Sequence, residues 1–205
     1  ALTRSFYQWT GTAAASAAAL ANTAITLIPS GSDYVVIAGG TFVPPGAGAT
    51  TLTLNDDDAV ATPNLSAPFP HPGGTTSSFT VCSNGSVWVA NGNDDGYAPN
   101  IATMLANPQT GWYSWHDCNP TEPGSGSVKF EEAGGIVYVT WDGVYSYGGT
   151  SAADANTFQF QFELATGQVV IAWQSLGSNP PPTDFATGEP FLVGYSPGGA
   201  SADPG

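Results

Sequence analysis

The sequence predicts an all-β chain: an antiparallel β-sandwich, jelly-roll-like, with a short Ala/Gly/Thr-rich N-terminal extension. Three observations lead there. Short apolar runs separated by turn residues recur at the roughly 8–12-residue spacing of sandwich strands. Only 9% of the 205 residues are charged and just two are basic, Arg4 and Lys129, so long amphipathic helices lack their usual surface material. Phe158-Gln159-Phe160-Gln161-Phe162-Glu163-Leu164 alternates without error, which places the apolar residues on one strand face and the polar ones on the other.

Taken in order, residues 1–50 read as the extension. Apolar residues 24–28 and 34–37 flank Pro29-Ser30-Gly31-Ser32 and suggest a hairpin packed on the main domain, while the Ala-rich residues 12–21 admit one short helix. Val43-Pro44-Pro45-Gly46 halts regular structure before Thr50-Thr51-Leu52-Thr53-Leu54, which alternates and ends at Asn55-Asp56-Asp57-Asp58. Residues 78–81 and 87–90 flank Ser83-Asn84-Gly85-Ser86, whose Asn-Gly pair is a strong hairpin signal. Residues 128–131 and 136–141 flank Glu132-Ala133-Gly134-Gly135, and Thr166-Gly167 turns residues 158–164 into 168–174. Residues 191–195 supply a last strand. The sandwich thus spans residues 51–197, and the Gly-rich residues 198–205 read as the start of a linker.

The formal charge of −14 would repel a phosphate backbone, which argues against nucleic acid and anionic membrane surfaces as partners. No stretch approaches the roughly 20 apolar residues of a membrane span, so membrane insertion is not expected. Scarce Lys beside abundant Gly, Ser, Thr, Pro and Asn fits a protein that is secreted or held at a cell surface, with any signal peptide removed or upstream. Asn64-Leu65-Ser66 and Asn84-Gly85-Ser86 fit the glycan-acceptor pattern but read equally as turn residues. Cys82 and Cys118 are the whole cysteine inventory. With no CxxC and no ligand cluster for zinc, a disulfide is expected, worth about 3 to 4 kcal/mol through the unfolded chain; two buried thiols are the competing reading.

Several segments then follow a recognisable order: Phe69-Pro70, Val87 after Ser83-Asn84-Gly85, Thr140-Trp141-Asp142-Gly143-Val144 with Tyr147-Gly148, Asn156-Thr157-Phe158-Gln159, and Val193-Gly194-Tyr195 with Gly198. Over roughly residues 52–200 the chain resembles the nidogen-like extracellular domain, in a bacterial-type version. The resemblance implies a β-rich extracellular module of adhesive or matrix proteins without enzymatic activity of its own. It carries no set of binding residues over to this chain.

Candidate sites come from local chemistry. Asn91-Gly92-Asn93-Asp94-Asp95-Gly96 matches the start of a calcium loop, with Asn91, Asn93 and Asp95 as alternate oxygen donors, but Ala102 stands where the bidentate acid belongs. Asp56, Asp57 and Asp58 form a second calcium candidate, with Asp56 and Asp58 as its donors, that needs a partner loop, because three consecutive acids on an extended segment cannot all face one ion. Trp112, Tyr113, Trp115, His116 and Asp117, with Tyr145 and Tyr147, concentrate rings and hydrogen-bonding groups where a loop is expected, as a sugar or protein ligand would require. The competing role for Trp112, Trp115 and Trp141 is core filling.

No GxSxG or HExxH frame surrounds His71 or His116, and adjacent His116 and Asp117 would point to opposite faces of a strand. Carboxylate pairs among Asp117, Glu131, Glu132, Asp142 and Glu163 are not distinguished by context. The sequence therefore predicts a non-catalytic extracellular binding or adhesion module of a larger protein, its partner an extracellular protein or glycan. The alternatives are a carbohydrate-binding, calcium-dependent module attached to a secreted hydrolase, and a hydrolase with a carboxylate/His site.

Overall fold

The computed structural model describes residues 5–10, 12–89, 96–178, 191–199 and 201–204. Alternation and turn punctuation produce an all-β sandwich of two antiparallel sheets. Its elements in chain order begin with β1 (Phe6–Thr10), α1 (Ala13–Leu20), β2 (Thr23–Ser30), β3 (Asp33–Ala38), β4 (Thr50–Thr51) and β5 (Ala59–Ala61). There follow β6 (Phe69–His71), β7 (Gly74–Thr76), β8 (Phe79–Cys82), β9 (Ser86–Val89), α2 (Ile101–Ala106), β10 (Gly111–Trp115) and β11 (Cys118–Asn119). The chain closes with β12 (Ser127–Ala133), β13 (Ile136–Ser146), a 3-10 turn (Ala152–Asp154), β14 (Ala155–Glu163), β15 (Val169–Ser175) and β16 (Phe191–Ser196).

One sheet runs β1-β16-β10-β9-β8-β5 and the other β3-β2-β15-β14-β13-β12-β4, with β11 beside β13 and β6-β7 as a separate hairpin. Thr12 caps α1 by accepting from the Ala15 N–H, so the Ala-rich stretch is helical. The β2–β3 hairpin pairs with β15, and β1 pairs with β16, so residues 6–38 extend both sheets. Residues 202–203 lie against β1: the Ser5 hydroxyl donates to the Ala202 carbonyl, and the Tyr7 hydroxyl donates to Asp203.

The inter-sheet core is aromatic. Phe158, Phe160 and Phe162 of β14 project inward; the Trp141 ring stacks on Phe158 at 4.7 Å, and Phe79 and Trp112 from the opposite sheet meet Phe162 at 4.3 and 5.1 Å. A second cluster, holding Cys82, Trp88, Met104, Leu105, Tyr113, Trp115 and Leu192, lies on the other face of the first sheet, where α2 contributes Met104 and Leu105.

Two expectations are corrected here. The disulfide does not form: Cys82 and Cys118 are both buried thiols. β8 turns Val81 into the inter-sheet core and Cys82 to the opposite face, whereas Cys118 belongs to the inter-sheet core, so the two thiols fall in different clusters. Residues 111–115 are strand β10 rather than a loop. The polar face of β14 is buried as well. Gln159 donates to the Val43 carbonyl and Thr140 hydroxyl and accepts from the Val43 N–H, while Gln161 donates to the Thr41 carbonyl and to Gln159. The irregular segment around Phe42 is thereby fastened over the outer sheet face.

Two outcomes follow. Phe160→Ala is expected to cost about 3 to 5 kcal/mol through loss of buried ring packing, and Gln159→Ala a smaller but measurable ~1 to 3 kcal/mol because it removes the partners of Val43; urea titration of both variants checks this, and a neutral Gln159→Ala would show that the crossing segment is held by other contacts. A thiol reagent added without reductant should modify both cysteines in denaturant and neither in the native protein. Thiols that stay unreactive in denaturant would restore the disulfide.

Candidate functional site

The loop end of the sandwich is organised by the turn joining β8 to β9. Ser83 and Asn84 are fully buried, so their backbone groups need partners inside the protein. The Ser114 N–H donates to the Gly85 carbonyl at 2.8 Å, the His116 N–H to the Asn84 carbonyl at 3.0 Å, and the Trp141 indole N–H to the Ser83 carbonyl at 2.7 Å. The Asn84 side chain accepts from the Cys118 N–H and donates to Asp57 at 2.7 Å. Gly85 adopts φ +85°, and a Cβ there would lie 2.2 Å from the Ser114 carbonyl oxygen. Only glycine fits.

That turn brings together Asp56, Asp57 and Asp117. Asp57 itself has φ +48°, a left-handed conformation that Asp tolerates. Asp56, Asp57 and Asp117 each offer a carboxylate oxygen, all lying within 4.8 Å of one another. Asp58, a metal candidate in the sequence, instead closes its own turn by accepting from the Asn55 N–H and side-chain amide, both at 2.9 Å. Asp56 thus keeps its place in an oxygen-rich cluster, Asp57 and Asp117 join it, and Asp58 does not. The three could supply part of the six to eight oxygens that calcium takes. Asn91, Asn93 and Asp95 lie outside the described residues.

His116 and Asp117, in the link between β10 and β11, serve different neighbours. The His116 ring stacks on Phe191 at 4.1 Å, and its Nε2 is 2.7 Å from the Ser146 hydroxyl. Asn156 donates to that hydroxyl and to the Val144 carbonyl, and accepts from the Gly177 N–H. A Ser–His contact has the elements of a nucleophile and its base. Here His116 is 0% and Ser146 1% exposed, so a substrate carbonyl has no approach in this conformation. The pair ties β10, β13 and β16 together.

The other carboxylates that the sequence put forward are likewise engaged. Glu131 accepts from the Gly46 N–H, Glu132 from Ser66, Glu163 from the Thr166 hydroxyl, and Asp142 pairs with Lys129.

The expected stacking platform is largely absent from the surface. Trp112, Tyr113, Trp115 and His116 are sealed because β10 is an inner strand of its sheet, covered by the other sheet on one face and by the α2 cluster on the other. Tyr147, 38% exposed, and the half-buried Tyr145 remain at the rim. They stand beside the acids: the Tyr147 N–H donates to the Asp117 carbonyl, the Tyr145 N–H to Ser125, and the Gly148 N–H to Glu122. Sequence reasoning missed Asn84, Ser146, Asn156 and Glu122 as residues of this end. Only Asn84 carried a signal, as a turn residue, and its burial rules out the glycan-acceptor role in the folded protein.

The model of the family described as NIDO related matches residues 33–188, more than half of the chain. No curated protein and no solved structure matches it.

Asp58 gives this end a pH signature. The Asn55 backbone N–H holds its carboxyl below the ordinary aspartate value of 3.8, opposed by burial and assisted by the Ala59 N–H and the Asn55 side chain. A depressed carboxyl stabilises the fold above its unfolded pKa, and that contribution is lost as pH falls through the lower folded value. Asp58→Asn should therefore lower the melting temperature at neutral pH, with the gap to the parent closing below about pH 3.8. A gap independent of pH in a melting series would contradict this role.

Proposed function

Because the chain belongs to the NIDO-related family, we propose that it is a non-catalytic extracellular binding module of a larger secreted or cell-surface protein, engaging an extracellular protein or glycan through the loop end of its sandwich. The observation that carries the reading is the contrast at that end. His116 and Ser146, which could do proton-transfer or nucleophilic work, are sealed, while the rim offers Tyr147, Tyr145 and the carboxylates of Asp57 and Glu122. Aromatic rings beside hydrogen-bonding groups suit recognition, since the ring supplies contact area and the polar atoms fix orientation. A chain of charge −14 attracts a basic protein surface or an uncharged glycan more readily than a polyanion.

The reading as a calcium-dependent sugar-binding module draws on the same end, where Asp56, Asp57 and Asp117 converge close to the Tyr147 backbone. One experiment separates the classes: glycan and matrix-protein arrays probed with the parent and with Tyr147→Ser, in calcium and in chelator. Binding is expected from the parent and is expected to drop at least about tenfold in Tyr147→Ser, whose melting temperature should match the parent's, since truncating an exposed aromatic anchor costs on the order of 1 to 2 kcal/mol. Sugar binding abolished by chelator would select the calcium-dependent module. Turnover of ester or glycoside substrates that disappears in a folded His116→Ala variant would replace the binding module with an enzyme.

A further inference from the structure

Among the described residues, strand β3 is an outer edge of its sheet, hydrogen-bonded to β2 on one side only. Its residues are Asp33-Tyr34-Val35-Val36-Ile37-Ala38, and the exposed apolar residues Val35 at 50%, Val36 at 39% and Ile37 at 47% lie next to Ile28 at 38%. Proteins normally blunt such an edge with Lys, Pro, a bulge or short length. β3 has no Lys or Pro, and its register with β2 is uninterrupted. The other described edges are different: β4 has two residues, β5 three, and residues 202–203 lie against β1.

We propose that β3 is a self-association edge, pairing antiparallel with β3 of a second copy so that the larger sheet runs continuously through a two-fold axis. The geometry favours this occupant. The Gly39 N–H donates to the Ala24 carbonyl, so antiparallel alternation turns the backbone groups of Tyr34, Val36 and Ala38 away from β2, toward the open side. A register centred on Val36 satisfies them all: Val36 meets Val36 of the second copy, and Tyr34 meets Ala38. Val35 then faces Ile37 across the axis on the outer face of the sheet, an apolar β-branched pair. The same register sets Asp33 opposite a glycine, Gly39, rather than opposite the other Asp33.

Charge points the same way. The chain carries −14, yet within residues 23–43 Asp33 is the only charged side chain. Two strongly acidic copies can approach through this hairpin with less repulsion than through an acid-bearing loop. A basic peptide would find few carboxylates here to pair with, whereas β3 itself matches the edge in length, polarity and register. Such a contact is isologous and closes at two subunits.

The test is sedimentation equilibrium of the whole chain at physiological and high salt. The expected mass at high micromolar concentration is twice the 20.9 kDa of one chain. Association should strengthen with salt, because screening relieves like-charge repulsion. Val36→Lys, which sets two ammonium groups against each other on the axis, should return the mass to that of one chain with its melting temperature unchanged. Val36→Cys should form a disulfide-linked dimer on mild oxidation, while Val35→Cys, opposite Ile37, should cross-link much less. A monomeric parent at high salt, or a dimer indifferent to Val36→Lys, overturns the proposal. Equal cross-linking of the two cysteine variants overturns the register and with it the two-fold pairing.

Discussion

The fold depends on satisfying a hairpin turn that is buried instead of being left to water. Turns normally lie at the surface because their carbonyl and N–H groups require partners. Here the β8–β9 turn is enclosed, and its acceptors are met by N–H groups of β10, the residues that follow it, and the Trp141 indole of the opposite sheet. An unmet buried group costs about 1 to 3 kcal/mol, so these bonds act as a shared condition on several elements. The register of β10 against β9 and the placement of Trp141 must be right together. Trp173 adds a second inter-sheet bond, its indole N–H donating to the Ser114 hydroxyl at 2.9 Å.

This arrangement also separates the two chemical faces of the loop end. Once β10 is pinned beneath the turn, the two residues that link it to β11 are placed with it. His116 goes inward to Phe191 and Ser146, while Asp117 stays with Asp56 and Asp57. The cysteines are divided too, Cys82 on β8 of one sheet and Cys118 on β11 beside the other, in two apolar clusters. Side-chain polarity alone would have allowed His116 and Asp117 to act as one unit; the short link between β10 and β11 gives each a separate environment.

What the sequence made legible followed from local rules. The Asn84-Gly85 hairpin, the β14 alternation and the β2–β3 hairpin each depend on neighbouring residues, and each forms close to its expected bounds. Residues 111–115 did not declare themselves, because a strand covered on both faces has no polar alternate and reads as an aromatic cluster. Gln159 and Gln161 show what alternation leaves open: it sets them on the face opposite the phenylalanines, but not that this polarity serves the backbone of the segment crossing them. The gathering of Asp56, Asp57 and Asp117 joins residues far apart in the chain. No spacing rule encodes such a contact; only sheet register produces it.

Sheet register also explains how sixteen acids coexist with two bases. Ion pairing cannot balance them: among the described residues, the ion pair is Lys129 with Asp142. Carboxylates are instead placed where backbone or hydroxyl donors converge. Asp154 accepts from the Thr150 and Ser151 N–H groups and the Ser151 hydroxyl, Asp58 from Asn55 and Ala59, and Glu131 from Gly46. A carboxylate binding N–H groups is stabilised as an anion and fixes the loop that donates to it. The acids thus act as loop staples across turns and between segments distant in sequence. The β2–β3 hairpin, whose single charge is Asp33, is left as the region where the surface offers apolar side chains and an open strand edge.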